Sequence, residues 1–367
     1  MENAMTRFFA AANTEEGFYS LFSEIFSPDV LRRIYILKGG PGTGKSTLMR
    51  GVGFAAEANG YDVEYYYCSS DTGSLDGVLI PALGVAVIDG TAPHMTDPCY
   101  PGAVERIVNL GDAFDFEALE RQREQIMAQI KEKQSFYRTA YRYLSAAGRM
   151  EREISELSAP AFLVSKADAA IARMVLSMKR ARPGRVSHRY ISAIGTSGPV
   201  SFDTLFRKAE KTYAVTDKYG LGYLFMGRLR MALERAGLAM TVCQTPLVRT
   251  RTEGIFVEGE NVFFMLCGEE TENACDKTIN ITRFLSKEYL AAHRGRLRFS
   301  QRCAASLMAG ALDALAEAGR LHAETEKIYS ASMDFSKVDS IKSRMISEIF
   351  ANNMLKMKNI IENTEDV

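Results

Sequence analysis

The sequence predicts an α/β protein made of two tandem three-layer α/β/α domains with mostly parallel sheets. Three observations predict it. A strand, a glycine-rich loop and a helix follow one another near the N-terminus. The same pattern of segments returns about 180 residues later. The length of 367 residues suffices for two domains that each bury a core.

The first element is the apolar run Ile34-Tyr35-Ile36-Leu37, which reads as a buried strand. Gly39-Gly40-Pro41-Gly42-Thr43-Gly44-Lys45-Ser46 follows and fits G-x-x-x-x-G-K-[ST] at every fixed position. The next stretch carries Leu48, Val52 and Ala55 at helical spacing, and Gly60 is a stop signal. Val63 to Tyr67 reads as a second strand running into the polar loop Cys68-Ser69-Ser70-Asp71. Val85-Ala86-Val87-Ile88-Asp89 is another apolar run that ends in a carboxylate. Residues 114–157 contain no proline and one glycine, so they read as one long helix or two stacked ones; packing on the sheet is favoured over a protruding hairpin or an interface between the halves. Ser165 and Asp168 fit a capping pair at the start of a further helix. The basic stretch KRARPGRVSHR, residues 179–189, reads as the linker between two copies and sets the boundaries at 1–182 and 183–367.

The duplication rests on a constant offset. Gly60 matches Gly237, and LDGVLI matches TEGIFV, both 177 residues apart (237 − 60 and 254 − 77). Farther on, VNL matches INI and AAGR matches EAGR at an offset of 171 (279 − 108 and 317 − 146), as expected after a net deletion. Applied to the loop, the first offset places Leu221, Gly222 and Tyr223 against Gly44, Lys45 and Ser46, and Leu266 against Asp89. The second copy is therefore expected to keep the strand and helix but not a working loop.

Residue chemistry explains why the first loop is the candidate site. Glycines let backbone N–H groups converge on phosphate oxygens, and the helix start adds partial positive charge. Lys45 would reach the β- and γ-phosphates. Ser46 and Asp89 would hold Mg²⁺, and Gly39, Gly40, Pro41, Gly42, Thr43, Gly44, Lys45, Ser46 and Thr47 form the nucleotide-binding set. Lys45 and Asp89 are the catalytic candidates. Asp89 also fits a plain Asp-Gly turn. His94 is read either as a group facing the γ-phosphate or as a structural histidine, and Arg182 or Arg185 as an arginine finger or as solvated linker. Lys218 could reach toward a phosphate at the altered second loop, but it lies before the glycines and not at the helix start.

On these residues the chain resembles the P-loop NTPase superfamily. Through ILKGGPGTGKST, CSSD, LDG, DGTAPH and YPGAV it resembles a bacterial family of duplicated P-loop ATPase-like proteins, over most of its length. The resemblance implies ATP binding and names no reaction. Guanine recognition by SKAD is disfavoured, because the second copy keeps SKVD without a phosphate loop. Three functions stay open: an ATPase that couples nucleotide state to the second half, a small-molecule kinase with its acceptor near Cys68 to Asp71, and a nucleotide-gated interaction module.

Bulk composition narrows the partners. Lys+Arg and Asp+Glu both number 45, so no general attraction to nucleic acid or anionic membrane is expected. No apolar run approaches the length of a membrane span. The six cysteines show no CxxC pair, as expected for reduced thiols in a cytoplasmic protein. A small-molecule or protein partner, or a second copy of the chain, remains open.

Overall fold

The computed structural model describes residues 5–178, 184–217, 219–267 and 275–365, with the backbone alone beyond 351. The expected boundary at 182/183, Arg182 and Lys218 lie outside the described residues.

The first half runs β1 (Thr6–Phe9), a hairpin of β2 (Ala11–Thr14) and β3 (Gly17–Ser20), and a one-turn helix α1 (Phe22–Ile25). It continues through β4 (Arg33–Lys38), α2 (Lys45–Ala58), β5 (Glu64–Tyr67), β6 (Leu75–Ile80), β7 (Val85–Asp89) and β8 (Glu105–Asn109). Three helices close it: α3 (Phe116–Arg121), α4 (Arg123–Ser158) and α5 (Val164–Leu176). The second half repeats the series. It has β9 (Val186–Arg189), a hairpin of β10 (Ser192–Gly195) and β11 (Gly198–Ser201), α6 (Thr204–Lys208), β12 (Lys211–Thr216) and α7 (Gly222–Arg235). Then come β13 (Met240–Gln244), β14 (Thr252–Val257), β15 (Val262–Cys267), β16 (Lys277–Asn280), α8 (Lys287–Ala331) and α9 (Phe335–Glu365).

The two six-stranded sheets have the same topology, β1-β5-β6-β7-β4-β8 and β9-β13-β14-β15-β12-β16. In each, three neighbouring pairs are parallel and two are antiparallel, so both sheets are mixed. Loop length explains the antiparallel part. Residues 81–84 are too few for the crossover that a parallel return from β6 to β7 requires.

Strand alternation decides what each sheet face meets. Tyr35, Leu37, Val85 and Val87 point to one face, where they pack on Leu48, Met49 and Val52 of α2. Ile34, Ile36, Ala86 and Ile88 point to the other and join a cluster that includes Cys243, Phe256 and Phe263 of the second sheet. One face of each sheet therefore shares a core with the other half, where the sequence predicts a separate helical layer for each domain. The apolar alternation shows that both faces are buried but not which neighbour buries them.

The long helices take the alternative placement, an interface between the halves, and not the favoured one. Rather than lying on their own sheets, α4 and α8 run antiparallel against each other. Gln129 meets Thr325, Lys133 meets His322, and Glu153 meets Arg296. Small residues allow the approach: Ala140, Ala311 and Ala314 share one buried cluster, and a Cβ at Gly310 would stand 3.3 Å from the Tyr143 ring. At about 1.5 Å per residue, the 36 residues of α4 carry the chain about 54 Å. That distance lets the following helices exchange partners. Ala167 and Ile171 of α5 pack with Phe225, Leu229 and Leu233 of α7. Reciprocally, Val338, Met345 and Ile349 of α9 pack with Leu48, Met49 and Val52 of α2.

None of the six cysteines is in a disulfide. No helix among the described residues is long and apolar enough to cross a membrane.

Candidate functional site

The glycine loop leaves β4 at Lys38 and enters α2 at Lys45. Gly42 and Gly44 have φ of 68° and 82°, a left-handed conformation that a Cβ disfavours. Gly44 is the residue preceding the helix, so the turn into α2 depends on it. Thr43 is buried and its hydroxyl donates to the Gly40 carbonyl at 2.9 Å, which bends the loop back on itself. Lys38 braces the neighbouring loop by donating to the carbonyls of Gly90 and Thr96, each at 2.8 Å.

Lys45 folds back across the loop, donating to the carbonyls of Gly39 at 3.0 Å and Gly40 at 2.7 Å. Its ammonium is 3.6 Å from the Asp89 carboxylate. Asp89 ends β7, which pairs in parallel with β4, and the register sets Leu37 opposite Asp89. The other Asp89 oxygen accepts from the Thr91 amide at 2.8 Å and the Thr91 hydroxyl at 2.6 Å. Burial pushes the Asp89 pKa up, opposed by Lys45 and the Thr91 hydrogen bond and reinforced by Asp76. The site thus holds a desolvated carboxylate that a cation would favour. Ser46 Oγ accepts from the Leu75 amide at 3.0 Å, which ties the helix start to β6. Thr47, in the same turn, is exposed.

The structure thus brings Gly39 to Ser46 and Asp89 together. His94 is different. Its ring is almost fully buried, stacks on Phe22 at 4.3 Å and sets Nε2 2.9 Å from the Asp76 carboxylate. Of its two readings, the structural one describes its surroundings. Asp76 and Asp89 flank the paired Gly77 and Ile88 of antiparallel strands, so the buried His94–Asp76 pair adjoins the Lys45–Asp89 pair. Arg185 is elsewhere: its carbonyl accepts from the Met240 amide at the start of β13. The expected Ser165–Asp168 cap is absent, because the Asp168 carboxylate grips Arg228 of α7 across the exchanged packing.

Sequence reasoning missed everything that the second half brings to the loop. Ser330 Oγ donates to the Gly42 carbonyl at 3.1 Å. The Tyr329 ring lies 3.1 Å from where a Gly40 Cβ would stand, and Phe335 and Val338 border Gly44. Beside this clasp, Lys133 Nζ lies 3.4 Å from His322 Nδ1. Burial lowers the pKa of both, and Lys133 lowers that of His322 further. The Asp71 carboxylate accepts from Ser74 Oγ at 2.5 Å and from the Gly73 amide at 3.1 Å. Asp71 and Lys45 both act electrostatically on His322 and Glu326. The polar loop, the glycine loop, α4 and α8 therefore converge at one place. No local motif signals this, since these residues are nearly 300 positions apart at the extreme (Gly42 and Ser330).

At the corresponding place in the second half the helix start is engaged by protein side chains, beside a cavity lined by Thr216, Asp217, Tyr219, Cys267 and Asn280. The Asp217 carboxylate accepts from the Gly222 amide at 2.5 Å, where α7 begins. Tyr223 stands at the position of Ser46 and carries the Arg251 guanidinium 4.4 Å from its ring centre. Arg251 pairs with Glu151 at 3.0 Å. Leu266 replaces Asp89 and lies 2.6 Å from where a Gly222 Cβ would be.

No protein-family model, curated protein or solved structure matches the chain.

Proposed function

We propose that the chain is a P-loop NTPase that binds Mg·ATP in the loop Gly39–Ser46 and hydrolyses it, with the second half as the partner that closes over the nucleotide. One observation carries this reading. Lys45, at the start of α2, lies 3.6 Å from Asp89, at the end of the adjacent parallel strand. This is the arrangement that the loop sequence and its metal carboxylate require.

The residues fit the ligands. Lys45 would exchange the Gly39 and Gly40 carbonyls for phosphate oxygens, and the loop amides and the start of α2 would hold the anion. When bound, Mg²⁺ supplies charge neutralisation at the phosphates, and Ser46 Oγ and Asp89 are the side chains to hold it. Two protein ligands suffice for a magnesium ion that shares phosphate oxygens and water. In the second half, Asp217 occupies the helix N-terminus with a built-in carboxylate, and Gly222, Tyr223 and Leu266 stand where Lys45, Ser46 and Asp89 would be. This half is accordingly read as a copy that kept the fold and gave up phosphate binding. A cytoplasmic location without nucleic-acid or membrane partners belongs to the same reading.

A small-molecule kinase is the second reading. It is favoured by the polar cluster of Asp71, Lys133 and His322 beside Lys45, and by the Ser69 hydroxyl, which is buried without a hydrogen-bond partner among the described residues.

The test is Mg·ATP binding and hydrolysis by the purified chain beside Lys45→Ala. The expected result is binding with turnover in the absence of any acceptor, and loss of both by at least about tenfold in the variant. Turnover that appears only with an added acceptor selects the kinase. Binding that survives Lys45→Ala unchanged sinks the nucleotide assignment.

A further inference from the structure

Hydrolysis of a nucleotide at the glycine loop, on which this inference rests, needs a group that activates the attacking water. We infer that Glu326, carried on α8 of the second half, is the base that takes the proton from the water attacking the γ-phosphate.

The last turns of α8 lie directly on the loop: a Cβ at Gly42 would stand 2.6 Å from the Glu326 carbonyl oxygen and 2.9 Å from its Cγ. Ser330, one turn on, fastens the helix there through the Gly42 carbonyl. Glu326 is half-buried, and among the described residues its carboxylate has no hydrogen bond or ion pair. Burial and the Asp71 charge push its pKa up, opposed by Lys45. A carboxylate so placed accepts a proton more readily than an ordinary surface glutamate.

The other bases nearby are engaged. Asp89 binds Thr91 and faces Lys45. Asp71 accepts from its own loop at both oxygens. His94 is buried against Asp76, and His322 lies against Lys133. Glu326 alone combines contact with the loop and an uncommitted carboxylate.

The step balances without a further reagent. The water oxygen forms a bond to the γ-phosphorus while the bond from that phosphorus to the β,γ-bridging oxygen breaks, its electron pair leaving with ADP. The water proton passes to the Glu326 carboxylate and is later returned to solvent or phosphate. Because Glu326 arrives on the second half, hydrolysis requires the two halves to be docked, which gives the second copy a role although it has Gly222 and Tyr223 in place of Lys45 and Ser46.

The experiment compares Glu326→Gln, which keeps volume and hydrogen-bonding capacity, with wild type and Lys45→Ala. It measures Mg·ATP affinity, single-turnover phosphate release and thermal unfolding. The expected result is an affinity within about threefold of wild type, an unchanged Tm and phosphate release slowed at least about 100-fold. Glu326→Ala should lose phosphate release to a similar degree. Release by Glu326→Gln within about threefold of wild type overturns the inference and leaves the ATPase reading standing. A wild-type chain that binds Mg·ATP through Lys45 and releases no phosphate overturns the inference together with the hydrolysis reading, and leaves only nucleotide binding. Absence of Lys45-dependent binding removes the nucleotide assignment itself.

Discussion

Gly42 joins two constraints that are usually separate. Its φ of 68° disfavours any side chain, and a Cβ there would collide with Ser330 Oγ and approach the Glu326 carbonyl to 2.6 Å. Gly42→Ala should therefore lower stability by about 1–3 kcal/mol, since strain and the lost α8 contact act together. It should also raise amide exchange around residues 326–330; unchanged exchange there would mean that the clasp is not seated on the loop. Glu253 allows a second prediction at this scale. It lies at the position of Asp76, accepts from the Ser192 hydroxyl at 2.7 Å and 2.8 Å, and is pushed by burial to a pKa of about 7. A carboxyl whose folded pKa exceeds its unfolded value binds more protons when folded, so stability falls as pH rises from the unfolded value of 4.5 toward about 7. The expected fall is about 2 kcal/mol, and Glu253→Gln should remove it in denaturant titrations at pH 5 and pH 8. That Lys45, Ser46 and Asp89 lie close together was legible in the sequence, because a loop and two strand ends carry local signatures. Lys133, His322 and Glu326 were not, because single polar residues on long helices look like ordinary solvated positions.

At the scale of elements, helical periodicity announces that α5 and α9 have apolar faces but says nothing of where these faces dock. Their destinations follow from the length of α4 and α8, which carry the chain across to the opposite sheet. Ile349 is buried on α2, although its own half is the second one. Ile349→Ala should cost about 2–4 kcal/mol and raise amide exchange in α2 and β4, leaving α7 and β12 unchanged. The reverse pattern would show that the exchange does not occur. The mixed sheets teach a related lesson. The antiparallel β5-β6-β7 segment could be read from connection length, once β6 is recognised as a strand. LDGVLI was legible as a repeated segment, yet Gly77 weakens its strand signature. That glycine is needed because the Phe26 ring lies 2.6 Å from where its Cβ would be.

For the whole molecule, the halves are similar in topology and unequal in chemistry, and neither owns a complete core. The shared cluster between the sheets and the reciprocal helices mean that a fragment of residues 1–182 would expose Leu48, Met49 and Val52 of α2. The expectation is that this fragment is insoluble or unfolded when expressed alone and recovers cooperative unfolding when co-expressed with residues 183–367. Stable, cooperative folding of either fragment alone would count against the shared core. Under the proposed function, this architecture makes the second half a structural and catalytic partner of the first, joined to it through the α4–α8 pair.

The sequence by itself determined the elements that rest on local interactions: the strand–loop–helix at 34–58, the Asp-terminated strand, the long helices and the repetition of segments that gives two similar halves. Glycine conformations, strand alternation and constant offsets are written within a few residues or in plain repetition. Only the tertiary structure decided which face meets which. The shared sheet core, the helix exchange and the delivery of Glu326, Tyr329 and Ser330 to a loop nearly 300 residues away depend on burial between distant segments. Apolar burial is non-directional, so an apolar face states that it needs a partner without stating which one.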